Sequence, residues 1–264
     1  QASLRRAVIV FQTAENAASN VAGLPAAARA LREAALAGVE KCWIVAQPGW
    51  LPEAGVHEEL SRLAGEMPFA IAGPGELSAV FPPEGVLLVC GEKIVDAETI
   101  RKALTAPERA MAGLTPARVW DDGALDALGP CACEAELAAA ARRIVAATAK
   151  PGDGIVSRTL NRPISQAISR LLLKWPAIRP MQVTWLAGLL SLVMVACLLS
   201  GTNGGLIAGA ILFQAASIAD GIDGEIARAT FRTTPLGAMA DSLVDAATNI
   251  GFMGGVTFNL WIHG

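Results

Sequence analysis

From Val183 to Ser200 the chain carries no charged side chain at all. An uninterrupted apolar run of that length is close to the ~20 residues an α-helix needs to cross the hydrocarbon core of a bilayer. The turn Gly201-Thr202-Asn203-Gly204 follows it, then a second apolar run from Leu206 to Ala219, and a third from Pro235 to Trp261. Three membrane spans are therefore expected. The chain is 53% hydrophobic and only 17% charged, against about a quarter charged in ordinary soluble proteins. The deficit is concentrated after residue 182, so a soluble domain followed by a membrane domain is expected. A net charge of −3 gives no basic surface for displacing counterions, and no nucleic-acid partner is expected.

The first part reads as alternating strands and helices. Ala7–Phe11, Cys42–Ala46 and Val86–Cys90 are short apolar runs of strand length, and Phe69–Ala72 is a further strand candidate. Helices are expected over Leu24–Gly38, closed by the glycine, over Asp96–Leu104 and over Glu134–Lys150. This alternation predicts an α/β domain with a mostly parallel sheet covered on both faces. Lys150-Pro151-Gly152-Asp153-Gly154 breaks the last helix. The expected division is residues 1–150 as the α/β domain, 151–181 as linker and interfacial helix, and 182–264 as the all-α membrane domain.

Cysteines add little. Cys42, Cys90, Cys131, Cys133 and Cys197 are scattered, and no second Cys/His pair stands near Cys131 and Cys133 to complete a zinc site. A plain loop in a reducing compartment is the expectation there. No basic-then-apolar leader opens the chain at Gln1, so no signal peptide is expected. The absence of an initiating Met, and an apolar run ending at Gly264, are what a fragment of a longer protein would show.

Residues 155–176 are amphipathic. Ile164, Ile168, Leu171 and Leu172 recur at helical spacing, while Arg158, Arg162, Arg170 and Lys174 supply positive charge, as in a helix lying in the membrane interface. With Arg179, five cations precede the first span, and Arg228 and Arg232 fall in the loop 220–234 expected after the second. The intervening turn has none. The positive-inside rule then places the first domain and the 220–234 segment on the cytoplasmic side of the inner membrane.

The unusual feature is acidic. Asp220, Asp223, Asp241 and Asp245 stand at or inside the second and third apolar stretches, where a carboxylate costs roughly 3 kcal/mol on insertion scales. Asp220 and Asp223 are three apart, Asp241 and Asp245 four apart, so each pair shares a helical face. Two such faces meeting would gather four anions around one small volume, which calls for cations between them. Oxygen ligands select hard ions such as Mg²⁺, Mn²⁺ or Ca²⁺, and a pair of them can clamp a pyrophosphate. Gly221, Gly224, Ala227, Gly237 and Ala238 allow close approach. Arg228 presents a fork of donors to a phosphate.

Written as a string, the segment is Asp220-x-x-Asp223-Gly224-x-x-Ala227-Arg228, eight residues, Gly237-x-x-x-Asp241-x-x-x-Asp245. It resembles the signature of the CDP-alcohol phosphotransferase family. The resemblance implies a membrane enzyme that moves a phosphoalcohol group from a CDP-alcohol to an acceptor hydroxyl, releasing CMP, in phospholipid or phosphoinositol-type biosynthesis. It implies two divalent ions, Mg²⁺ or Mn²⁺, on Asp220, Asp223, Asp241 and Asp245, and Asp245 as the base. It further implies CDP contacts from Gly224, Arg228 and Gly237, another contact from Thr234, and a homodimer. Six spans are expected of the family and three are visible, so half of the membrane domain is expected beyond Gly264. Relatives often have Asn after the proline before the first span; here Met181 follows Pro180, leaving one cytidine contact in question.

The first 150 residues resemble sugar nucleotidyltransferases, and the junction Lys150–Gly154 with Ser157-Arg158 and Asn161-Arg162 resembles that of two-domain inositol-phosphate cytidylyltransferases. In those enzymes the first domain makes CDP-inositol. Here the segment Gln12–Pro25 holds no cation and a single glycine, where a triphosphate needs a glycine-rich cationic loop. Only Glu92 stands where a metal-binding Asp is expected. The expectation is a catalytically silent domain, with a bifunctional enzyme as the alternative. A non-catalytic cation-binding membrane protein is an alternative of another class.

Overall fold

The computed structural model describes residues 4–46, 49–73, 75–77, 84–106, 111–119, 128, 134–149, 154–155 and 157–263. The Cys131/Cys133 pair and Lys150–Asp153 lie outside the described residues. Two compact units divide at 141/142.

In the first unit, β1 (Arg6–Phe11), β4 (Lys41–Ala46), β5 (Phe69–Ile71), β6 (Val86–Cys90) and β7 (Leu114–Ala117) form one sheet in the order β5-β4-β1-β6-β7. The first four strands run parallel, and β7 is antiparallel to β6. β1 and β6 are continuous apolar runs because both of their faces are covered, and Ala7–Phe11 and Val86–Cys90 are buried throughout. Helices α1 (Ala14–Ala18), α2 (Ala26–Ala37), α3 (Ala54–Ala64) and α4 (Ala97–Thr105) fill the crossovers. α2 ends at Gly38, whose φ of 90° lets its N–H reach back to the carbonyls of Ala34 and Ala35.

The expected helix start at Leu24 is corrected. Leu24–Pro25 is strand β3, paired with β2 (Asn20–Val21) across a tight turn, and helix begins only at Ala26. Pro25 has a ψ of 139°, outside the helical region. Ala22 and Gly23 both take positive φ, as a two-residue hairpin turn requires. Arg29 is 2% exposed and donates to the carbonyls of Val21 and Ala22 at 3.1 Å, pinning the hairpin to α2. Burial pushes its guanidinium down to about 10, with Glu33 opposing. Burial likewise drives the Cys42 thiol up to about 12.

The second unit is helical: α5 (Glu134–Ala147) leads into it, then a π-helical turn (Ser157–Asn161), α6 (Arg162–Leu172), α7 (Pro180–Leu199), α8 (Asn203–Ala229) and α9 (Pro235–His263). Among the described residues, α7 and α8 are long and apolar enough to cross a membrane. α9 is continuous over 29 residues, and Asp241, Asp245, Asn249, Thr257 and Asn259 dilute its apolar character. Two of its polar side chains are bonded to the neighbouring helix. Thr248 bonds Ser191 at 2.6 Å, and Asn259 donates to the Leu198 carbonyl at 3.1 Å. Leu198 also fills the space left by the missing side chains of Gly209 on α8 and Gly255 on α9, the close approach that small residues permit between membrane helices.

α8 differs from the expected loop over 220–234. It continues through Ala229, so Asp220, Asp223 and Arg228 are helical and only residues 230–234 connect to α9.

Helix α6 packs with its polar side inward. Ser165 and Ser169 are buried, while Ile164 and Leu171 are 40% and 50% exposed. Such polarity is the reverse of a soluble surface helix. Asn161 bonds Ser217 and Gln214 of α8 at 3.1 and 2.5 Å, and Ser165 and Ser169 donate to Glu225 of α8 at 2.7 and 2.6 Å.

Candidate active site

The start of α7, the end of α8, the turn 230–234 and the start of α9 enclose a cavity of about 350 Å³. Asp223, Gly224 and Arg228 line it from α8, Thr234 from the turn, and Gly237 and Asp241 from α9. A second, smaller cavity of about 40 Å³ is lined by Asp220 of α8 and by Asp245, Thr248 and Asn249 of α9. The four aspartates are thus divided two and two. A contact joins the pairs: the carboxyls of Asp220 and Asp241 stand within hydrogen-bonding reach of each other. No group of three or more His, Cys, Asp or Glu among the described residues forms a closed metal cage, unlike the single shared volume expected from spacing. Asp220 and Asp223 are offset by about 60° around α8, and this splay aims them to different sides.

Each carboxylate has its own setting. Asp223 is 4% exposed and accepts a hydrogen bond from Thr184 Oγ1 of α7 at 2.5 Å. Asp245 is exposed, and its Oδ1 accepts from Asn249 Nδ2 at 3.1 Å. Asp220 and Asp241 face each other as two groups that only accept when ionised. Something positive must lie between them, a proton or a metal ion, and an all-carboxylate donor set fits a hard divalent cation.

Arg228 is held from two directions. Its Nε donates to the Thr148 carbonyl at 2.9 Å, and its guanidinium folds back over Gly224, where an added Cβ would come within 2.9 Å of Nη1. Gly224 therefore serves by what it lacks. Thr234 Oγ1 accepts the Gly237 N–H at 3.0 Å, capping α9. Between Arg228 and Thr234 the chain reverses through Phe231, a non-glycine residue at φ 52°, while the Arg232 N–H returns to the Ala227 carbonyl at 2.9 Å. A left-handed bulky residue costs roughly 1–2 kcal/mol, and here the turn brings Arg232 and Thr233 to the cavity wall.

Several lining residues were not singled out by sequence. Thr184 sits in a featureless apolar run, and its partner is 39 residues away. Arg179 and Arg232 also line the larger cavity, although sequence gave them only a role in orientation.

At the first unit's sheet, the strand order reverses beside β1, so the crevice beyond the carboxyl ends of β1 and β6 is where such folds bind ligands. Its floor is packed by the chain's own side chains. The Phe11 ring lies against Gly91, with no room for a Cβ between them. Glu92 is fully buried and accepts from the Gln12 N–H at 2.6 Å and Asn16 Nδ2 at 3.2 Å.

Comparison with known proteins gives a family match within the second unit and similar relatives. The family model described as CDP-alcohol phosphatidyltransferase matches residues 177–263. Proteins named "Bifunctional IPC transferase and DIPP synthase" are similar in sequence. The one from Thermococcus kodakarensis is 43% identical over 115 residues, covering 43% of this chain and 25% of the relative. That from Aquifex aeolicus is 40% identical over 109 residues, covering 41% and 24%. That from Archaeoglobus fulgidus is 34% identical over 113 residues, covering 42% and 22%. The matched stretch thus spans about a quarter of these relatives' length.

Proposed function

For a chain whose residues 177–263 match the family model described as CDP-alcohol phosphatidyltransferase, we propose catalysis of CDP-alcohol phosphotransfer. A phosphoalcohol group moves to an acceptor hydroxyl with release of CMP. The observation that carries this reading is the larger cavity, where Asp223 and Asp241 share a wall with Arg228 and Gly224. An ion path has no need of a guanidinium held beside a pocket of this size.

Asp220, Asp223, Asp241 and Asp245 would hold two divalent ions, Mg²⁺ or Mn²⁺. Bound there, such ions neutralise the pyrophosphate and stabilise charge on the leaving oxygen. The protein's own groups do the positioning. Arg228, whose Nε is held by the Thr148 carbonyl, would set its guanidinium beside the diphosphate, and Gly224 and Gly237 let the nucleotide approach backbone. Thr234 keeps the start of α9, and so Asp241, in place. Asp245 takes the proton from the acceptor hydroxyl as its oxygen bonds to phosphorus. The bond from that phosphorus to the bridging oxygen breaks, and CMP leaves with the electron pair. Asn249 orients Asp245 for this step. Phosphoryl chemistry of this kind depends on placement and charge stabilisation rather than a covalent nucleophile.

The membrane setting follows the same reading. Residues 182–264 belong to a multi-pass inner-membrane domain, residues 1–150 form a cytoplasmic nucleotidyltransferase-like domain, and residues 151–181 link them, α6 resting its exposed apolar side in the interface. Cations before α7 and in the 228–232 segment support a cytoplasmic site. A homodimer is part of the proposal by family likeness.

The relatives' name includes a second activity, which favours a bifunctional reading of the whole protein. The cation-free segment 12–25 and the internally bonded Glu92 support a silent first domain instead. The full chain in vesicles, given CTP and inositol phosphate, should release no pyrophosphate; release would restore the bifunctional reading.

The main test is CMP release by the purified protein with a panel of CDP-diacylglycerol and CDP-polyols and several acceptors, with and without Mg²⁺ or Mn²⁺. No metal-dependent CMP from any pair would sink the proposal. Asp245→Asn should lower kcat at least about 100-fold while CDP-alcohol affinity stays within about twofold; unchanged turnover would remove Asp245 as the base.

A further inference from the structure

Glu225 has no part in the mechanism above, yet it is fully buried in a helix apolar enough to cross a membrane. Its two carboxylate oxygens are both engaged by α6. Oε1 accepts from Arg162 Nη1 at 2.9 Å and from Ser165 Oγ at 2.7 Å, and Oε2 accepts from Ser169 Oγ at 2.6 Å. On α8 the contacts with α6 continue along one face through Gly221, Ser217 and Gln214, at spacings of three and four residues. Arg162, 11% exposed in its side chain, is largely withdrawn from water along with its partner. A buried ion pair adds little net stability over an apolar pair, but it tolerates little displacement, because each charge left alone costs several kcal/mol.

Glu225 stands two residues beyond Asp223, on the far side of the same helix. A rotation of α8 by about 20° would move a carboxylate carried ~6 Å from the axis by about 2 Å. Misplacement of even ~1 Å can cost two orders of magnitude at a reacting centre.

We propose that Glu225, locked by Arg162, Ser165 and Ser169, is a positioning residue that fixes the rotation of α8 and thereby the aim of Asp220 and Asp223 at the metal site. This rests on the reading of those aspartates as metal ligands. It acts through the helix and touches no substrate.

A covalent substitute makes the idea testable. A Cβ at Gly221 would lie 3.4 Å from the Ser165 Cβ, close to the ~3.5–4.5 Å of a disulfide. The full-length protein in lipid vesicles, with Ser165→Cys and Gly221→Cys, would be compared with and without Glu225→Gln. The first readout is the rate of disulfide formation; the second is Mn²⁺ affinity, from the electron paramagnetic resonance signal of free Mn²⁺. Glu225→Gln should slow cross-linking and weaken Mn²⁺ binding, each at least tenfold. Oxidation of the cysteine pair should return Mn²⁺ affinity to within threefold, and reduction should abolish the recovery.

Slower cross-linking with unchanged Mn²⁺ affinity would overturn the proposal, leaving a lock with no effect on the site. Weak binding that the disulfide fails to restore would overturn it too. If the unaltered protein binds no Mn²⁺, the metal-site reading fails and the positioning role fails with it, whereas the cross-linking rate still reports whether the lock exists. Should Glu225→Gln not accumulate folded, Arg162→Gln, which in the Ser165→Cys background leaves the Ser169 bond to Glu225, takes its place with the same expected order.

Discussion

Glu92 in the first unit and Asp223 in the second are both buried carboxylates beside a cavity or crevice, and their neighbours treat them oppositely. Glu92 is met by a backbone N–H and a side-chain amide, so its charge is answered from within the fold. Asp223 has the Thr184 hydroxyl, but beyond it stand Asp241 and, against Asp241, Asp220. Acceptors facing acceptors are not a finished structure. The difference teaches where a ligand is needed: one region has completed its own hydrogen bonding, and the other leaves room for a positive partner.

The sharpest way to break that contrast is Asp241→Asn, which supplies N–H donors where a cation is proposed. CMP release should fall about 10³-fold, and the variant should accumulate at least as well as the unaltered protein; retained turnover would mean that no cation is held there. A step smaller, Gly224→Ala puts a methyl where the Arg228 guanidinium rests and should raise KM for the CDP-alcohol about tenfold with kcat little changed. In the first unit the effect should be on stability alone. Glu92→Gln should leave CMP release intact while destabilising the 12–16 segment by about 1–3 kcal/mol, read as faster amide exchange there.

The smallest expected effect lies at α4. The Thr99 backbone N–H, 2.9 Å from Asp96 Oδ1, holds this carboxyl below its ordinary value. A depressed folded-state value means that the stabilisation is present above the unfolded value of about 3.9 and is lost as pH falls through the folded one. Asp96→Ala should therefore speed amide exchange at the start of α4 at pH 7, by an amount matching about 1 kcal/mol, and the difference should fade on acidification.

Much of this was legible in the chain because it follows from period and polarity. The strands at 6–11, 41–46 and 86–90 are compact apolar runs, and α7 announces itself by the absence of charge. The acidic motif was visible because carboxylates are so costly in apolar helices. What escaped was tertiary. Pro25 looked like part of a helix because nothing local shows that Arg29 would tie down the hairpin before it. The continuation of α8 past Asp220 was obscured by charged residues that read as a loop, although Asp223 and Glu225 are bonded by neighbouring helices. Glu225 and its serines lie about 60 residues apart, and only packing pairs them. The separation of the aspartates into two cavities depends on their splay around α8, which spacing alone left coarse.

One last consequence follows from the extent of α8. Its 27 residues measure about 40 Å at ~1.5 Å each, longer than the ~30 Å hydrocarbon layer. Counting from Asn203, Asp220 comes after about 26 Å, so its chemistry would sit at the depth where acyl chains give way to headgroups. In the proposed reading, a polar nucleotide group and a lipid-borne partner would meet there without either one abandoning its own solvent.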